Sequence, residues 1–198
     1  MNYLAHAYLS FNQPEILVGN MISDFVKGKT KFNFPPGIQK GIALHRAIDE
    51  FTDVHPATKK AAAFFRPAYR LYSGAFVDVV YDHFLALDTN EFKNSTTLQN
   101  FTGQVYNILE ENFYLLPQRF QNFFSHMKQY NWLFNYQYRM GIEKSFGGLV
   151  YRAAYINESA TAFVVFNENY SELKDCYDIF FPTLKKFASH CLSNLLLA

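Results

Sequence analysis

The sequence predicts an all-α protein, a single-domain helical bundle. Apolar residues recur at the 3.6-residue helical spacing almost from end to end, while alternating strand patterns are few and short. The third observation is bulk. The chain has 198 residues, 49% of them hydrophobic and 18% charged, enough for one compact core and too apolar for disorder.

The elements follow in order. Tyr3, Leu4, Ala7, Tyr8 and Phe11 share a face and predict a first helix. Pro14 suits the first turn of a second, continued by Ile16, Leu17, Met21, Ile22 and Phe25. The glycine-, lysine- and proline-rich stretch 27–37 reads as a loop. Ile38, Ile42, Leu44, Ile48 and Phe51 form a third helix that closes before Pro56. Pro56 opens a short helix through Phe65, and Pro67 restarts another carrying Leu71, Phe76, Val80, Phe84 and Leu87. A polar stretch from Thr89 to Asn100 separates this block from further helices near 98–113, 118–129, 131–138, 142–155, 158–174 and 177–196. The run Phe163-Val164-Val165-Phe166 could be a strand, but its flanks favour helix. No linker or repeat divides the chain, so one domain is expected over 1–198, with the chemistry in about 1–90 and a helical remainder in about 91–198.

Composition narrows the function classes. Only Cys176 and Cys191 are present, which excludes a disulfide scaffold and suits a reducing compartment. No signal-peptide pattern follows Met1, and charges interrupt every apolar run, so a soluble cytoplasmic protein is expected. The net charge is +1, but residues 1–70 hold nine Lys/Arg against five Asp/Glu. This mild basic bias could meet a phosphate or an acidic partner, and it is too sparse for a nucleic-acid surface. Dinucleotide, P-loop and HExxH motifs are all missing, and neither cysteine is placed beside a histidine in a catalytic manner.

Acids and histidines concentrate in the first 90 residues. His45, Asp49 and Asp53 are spaced by four and project from one helical stripe; Asp78 and Asp82 repeat that relation, with His83 beside Asp82. His6 and Asp24 lie in strongly apolar segments, where an unpartnered carboxylate is costly. Each has a plainer reading: His6 as a hydrogen-bonded core histidine, the 45/49/53 stripe as an exposed face, Asp53 as a helix cap, Asp82-His83 as a surface pair. Together, acids and imidazoles on separate helices are how bundles build metal sites, and this thiolate-free donor set suits Mn2+ or Mg2+ better than structural zinc.

Four early segments, MNYLAH (1–6), GNMISDFVKG (19–28), GIALHRAIDEFTDVHP (41–56) and VDVVYDHFLA (77–86), resemble the acyl carrier protein phosphodiesterase family. So do LPQRFQNFFSHMKQYNWLFNY (116–136), MGIEKSFGGLVYR (140–152) and DIFFPTL (178–184), so the likeness spans nearly the whole chain. It implies an all-helical fold similar to the HD-type metal-dependent phosphohydrolases. The implied activity is Mn2+-supported hydrolysis of the phosphodiester joining 4′-phosphopantetheine to a serine of acyl carrier protein. On the matching residues it implies His6, Asp24, His45, Asp49, Asp82 and His83 as ligands or catalytic groups; of these we expect His6, Asp24, His45 and Asp82 to hold the metal, with Asp49 and His83 orienting ligands or moving protons. The pair here runs Asp82-His83, the reverse of an HD dyad. Arg46 could contact the phosphate, and Lys27, Lys29 and Lys31 could meet an acidic carrier protein. Rival readings are hydrolysis of nucleotides or another small phosphodiester, and a non-catalytic carrier-binding protein.

Overall fold

The computed structural model describes residues 1–197 and, among them, eleven α-helices with short 3-10 turns and no strand. They form a single helical domain. The first five are α1 (Tyr3–Tyr8), α2 (Pro14–Ile22), α3 (Pro36–Val54), α4 (Pro56–Tyr69) and α5 (Ser73–Leu87). The rest are α6 (Ser95–Glu111), α7 (Gln118–Gln129), α8 (Trp132–Asn135), α9 (Arg139–Arg152), α10 (Ala160–Glu168) and α11 (Tyr170–Leu197).

Helix α5 is the axis of the domain. Phe76, Val77, Val80, Tyr81, Phe84 and Leu85 point to different sides of it and are all buried, as expected of a helix surrounded by others. It packs against α1, α4, α9 and α11. An aromatic chain ties these layers together: Phe65 to Phe76 at 5.7 Å, Phe76 to Phe146 at 5.1 Å and Phe146 to Phe166 at 6.2 Å between ring centres. Edge-on and offset contacts of this kind add to the stabilisation from area burial.

Helices α2 and α3 approach closely where Gly19 meets Gly41. A Cβ on Gly41 would lie 2.3 Å from the Ile16 carbonyl oxygen and 2.9 Å from Gly19 Cα. The two backbones therefore touch, which brings the segments before Asp24 and around His45 together.

Several boundaries differ from the sequence expectation, each for a local reason. The stretch 27–37 contains a 3-10 helix over Gly28–Asn33. Pro67 does not restart a helix: α4 runs through it, and the chain turns instead at Arg70, whose φ is +46°. His55, not Asp53, caps α4 by accepting from the Ala57 N–H. Within the polar stretch, Asn94 and Thr97 make a reciprocal capping box that starts α6 at Ser95. The last two helices divide at Asn169 rather than near 175, so α11 starts at Tyr170.

Candidate metal centre

His6 on α1 and His45 and Asp49 on α3 converge. One ligand atom from each lies within 4.8 Å of the others. The two imidazoles stack with centres 3.9 Å apart, and both are buried. His6 Nε2 is 3.2 Å from Asp49 Oδ1, and His45 Nε2 is 3.0 Å from Asp49 Oδ2. Asp24, in the 3-10 turn after α2, reaches His45 Nε2 from the exposed side at 3.2 Å.

Asn20, fully buried on α2, fixes both rings. His45 Nδ1 is 2.7 Å from the Asn20 carbonyl oxygen, which only accepts, so Nδ1 carries the hydrogen. Asn20 Nδ2 donates to the His6 carbonyl and to Ser10 Oγ, which leaves its Oδ1 to accept from His6 Nδ1 at 2.8 Å. Both Nε2 atoms therefore face the Asp49 carboxylate. His6 Nε2 is buried with no hydrogen-bond partner, a position that a cation could fill.

Electrostatics tell the same story. Burial opposes charge on His45, but Asp24 and Asp49 outweigh it and raise its pKa to about 9. Burial, reinforced by the neighbouring His45, lowers His6 to about 4. Burial works against the Asp49 carboxylate, yet His45 and His6 hold its pKa well below the usual range. A proton on His45 thus sits where a divalent ion would place its charge, and ion binding would release that proton.

The other sequence candidates lie elsewhere. Asp82 does not face the cluster with free oxygens: it accepts from the Leu4 N–H at 2.8 Å and the Ala5 N–H at 3.0 Å. These are orphan donors of the first turn of α1, where Asn2 provides no side-chain cap, so a carboxylate from α5 caps the helix that bears His6. Burial pushes Asp82 up to about 7, against the pull of those two N–H groups. Asp82→Ala is expected to cost about 2–4 kcal/mol by stranding buried donors, read as a lower denaturation midpoint in urea; an unchanged midpoint contradicts the capping role. His83 is also committed. Its Nδ1 lies 2.6 Å from the Tyr136 carbonyl and its Nε2 2.9 Å from the Tyr170 hydroxyl, so no ring nitrogen is left for proton transfer at the cluster.

Arg46 is exposed and donates to the Val26 carbonyl at 3.2 Å. Lys27 and Lys29 are exposed, and Lys31 lies 5.0 Å from the centre of the exposed Phe32 ring. This basic turn starts three residues after Asp24.

The family described as "Acyl carrier protein phosphodiesterase" matches residues 1–184. The chain belongs to the acyl carrier protein phosphodiesterase family. A curated relative of that name from Yersinia pestis is 32% identical over 190 residues, 96% of this chain and 98% of its own. One from Serratia proteamaculans is 31% identical over 188 residues, covering 95% and 97%. One from Escherichia coli is 31% identical over 193 residues, covering 96% and 98%. No solved structure matches.

One residue of this phosphodiesterase-family chain escaped sequence reasoning, and another was named without its contact. Asn20 is the only polar side chain after Glu15 in α2, and that isolation within an apolar run was a usable signal. Asp78 was marked only by its spacing to Asp82: its Oδ1 lies 3.2 Å from the Met1 nitrogen, which in turn is 3.3 Å from Asp49 Oδ1. Burial raises the Asp78 pKa, against the nearby amino group. One turn along α3 from Asp49, Asp53 borders a depression of about 630 Å³ shared with Lys59, Arg66 and Arg70.

Proposed function

We propose that this chain hydrolyses the phosphodiester that joins 4′-phosphopantetheine to a carrier-protein serine, using a divalent ion, Mn2+ or Mg2+, held by His6, His45 and Asp49 with Asp24 at the mouth. The observation that carries this is the buried, partnerless Nε2 of His6, which faces the Asp49 carboxylate beside the Nε2 of His45. The donor set of two neutral imidazoles and carboxylates fits such an ion. When bound, the ion supplies charge neutralisation at the phosphoryl oxygens and acidity to a water.

The remaining work falls to the chain itself. Asn20 holds both imidazoles in one tautomer. Asp24, on the exposed side of His45, is the carboxylate open to solvent and takes a proton from the attacking water. The water oxygen bonds to phosphorus, the bond from phosphorus to the serine oxygen breaks, and the proton taken up by Asp24 passes to that departing oxygen. The products are the serine hydroxyl and 4′-phosphopantetheine. The roles implied for Asp82 and Asp49 are thereby exchanged: Asp49 ligates, and Asp82 supports the helix that carries His6.

The test is incubation with holo carrier protein and Mn2+, followed by intact-mass measurement, with a chelated control. Loss of the phosphopantetheine mass only in the presence of the ion is expected. An unchanged mass at saturating Mn2+ overturns the reading.

The carrier protein is proposed to dock on the basic turn, because Lys27, Lys29 and Lys31 follow directly on the Asp24 segment. Flexible ammonium groups there steer an acidic surface to the mouth of the site. Lys27→Glu/Lys29→Glu/Lys31→Glu should raise KM for holo carrier protein about 10-fold or more, with helical circular dichroism unchanged; an unaltered KM removes the turn from the interface. We place the reaction in the cytoplasm. Both cysteines are free, and no helix among the described residues is long and apolar enough to cross a membrane.

A further inference from the structure

Beside the metal cluster lies a cavity of about 470 Å³ between α1, α5, α7, α8 and α9. That volume falls within the roughly 300–1,000 Å³ of small-molecule sites. Its lining includes the cations Lys144 and Arg152 and no carboxylate. One wall is aromatic: the Tyr3 and Phe123 ring centres are 4.9 Å apart, Trp132 meets Phe123 edge-on at 5.1 Å, and the Arg152 guanidinium lies 5.5 Å from the Phe123 centre.

The floor is α9. Lys144, Gly148 and Arg152 are spaced by four and form one stripe about 12 Å long. Gly148 has no packing reason to be glycine, since a Cβ there would meet nothing within 4 Å. Glycine is disfavoured against alanine inside a helix, and here it leaves the middle of the floor bare. Two amide oxygens are open as acceptors. Asn2 Nδ2 donates to the Tyr136 hydroxyl and Asn135 Nδ2 to the Tyr130 carbonyl, which leaves each Oδ1 for a ligand N–H.

The cavity joins the cluster at two points. Asn2 and Tyr3 line it, and the preceding Met1 nitrogen is 3.3 Å from Asp49 Oδ1. Phe123 is 5.9 Å from Phe25, the neighbour of Asp24. The end nearest the cluster therefore carries Arg152, while Met140 and Tyr138 lie along the remainder.

We infer that this cavity receives the 4′-phosphopantetheine arm, an elongated amide chain with a phosphate at one end and a thiol at the other. The inference rests on the phosphodiesterase reading. The phosphate lies toward Arg152 and the metal cluster, amide N–H groups donate to Asn2 and Asn135, and the chain runs over Gly148 against the aromatic wall. Sulfur at the far end meets Met140 and Tyr138, contacts that suit a polarizable atom.

Trp132 is the sole tryptophan of the chain, so its fluorescence reports on the cavity without turnover. Titration with 4′-phosphopantetheine should give a saturable change. Pantetheine, which lacks the phosphate, should bind at least 10-fold more weakly, and inorganic phosphate at equal concentration should give none. Gly148→Phe should abolish the response and lower kcat/KM on holo carrier protein at least 100-fold. Gly103→Phe, a helix glycine with equal space outside the cavity, controls for a bulky insertion. Should Gly148→Phe fail to fold, Arg152→Ala, an exposed position, should erase the preference for 4′-phosphopantetheine over pantetheine. No saturable change in the wild-type protein, or wild-type cleavage by Gly148→Phe, overturns the cavity assignment. An intact titration in a protein that never cleaves holo carrier protein instead removes the phosphodiesterase reading and leaves the cavity its ligand.

Discussion

Asp49→Ala should lower kcat/KM on holo carrier protein by more than ~100-fold and abolish saturable Mn2+ binding in calorimetry. The expectation comes from its position. Its two oxygens lie 3.2 Å from His6 Nε2 and 3.0 Å from His45 Nε2, so one carboxylate joins both imidazoles. Losing groups that merely orient ligands costs 10–100-fold in metal affinity or activity, and a carboxylate at the centre should exceed that. The fold should survive, because Asp49 is 39% exposed at its side chain and caps no helix. Asp49→Asn keeps the shape, removes the charge and should fail equally. Near-normal Mn2+ affinity in either variant would show that the cluster is not the metal site. The His45 proton offers a second readout. Without Asp49, His45 loses one of the two carboxylates that raise its pKa to about 9, so its titration by NMR should move down.

Gly41→Ala should destabilise the protein by about 3 kcal/mol. For a chain of this size that is a fall of roughly 6–12 °C in Tm. The added Cβ would lie 2.3 Å from the Ile16 carbonyl oxygen and 2.9 Å from Gly19 Cα. Both obstacles are backbone, so no rotamer relieves them and α2 must move away from α3. That same contact sets the 2.7 Å approach of His45 Nδ1 to the Asn20 carbonyl. Mn2+ affinity should therefore fall with stability, even though Gly41 touches no ligand atom. A variant with unchanged Tm would mean that the helices tolerate separation, and the account of how the site is positioned would fail with it.

Much of the helical order was legible because amphipathic periodicity is a local property. Gln118–Gln129 coincides with its expectation, and α3 follows the apolar positions from Ile38 to Phe51. One error arose where a proline was given more weight than its surroundings. Pro67 sits inside a helix, while the real break after Tyr69 is at Arg70, whose left-handed backbone nothing in its residue type announces. The polar stretch near residue 90 hid a helix start, since Asn94 and Thr97 read equally as loop or cap.

For the site, the relation of His45 to Asp49 was visible because four residues on one helix is a short-range geometry. The convergence with His6 was not. It depends on how α1 packs over α3, and a separation of 39 positions along the chain does not encode a distance. Asp82 shows the converse: its motif suggested a ligand, but the nearest unmet need was the first turn of α1, and two backbone N–H groups took both oxygens. The sequence by itself determined the helical class, the family and the pool of acids and imidazoles. Only the tertiary structure decided which of them share a centre, because side chains become neighbours through helix packing, and a carboxylate buried in that packing goes to whichever donors would otherwise be left unpaired.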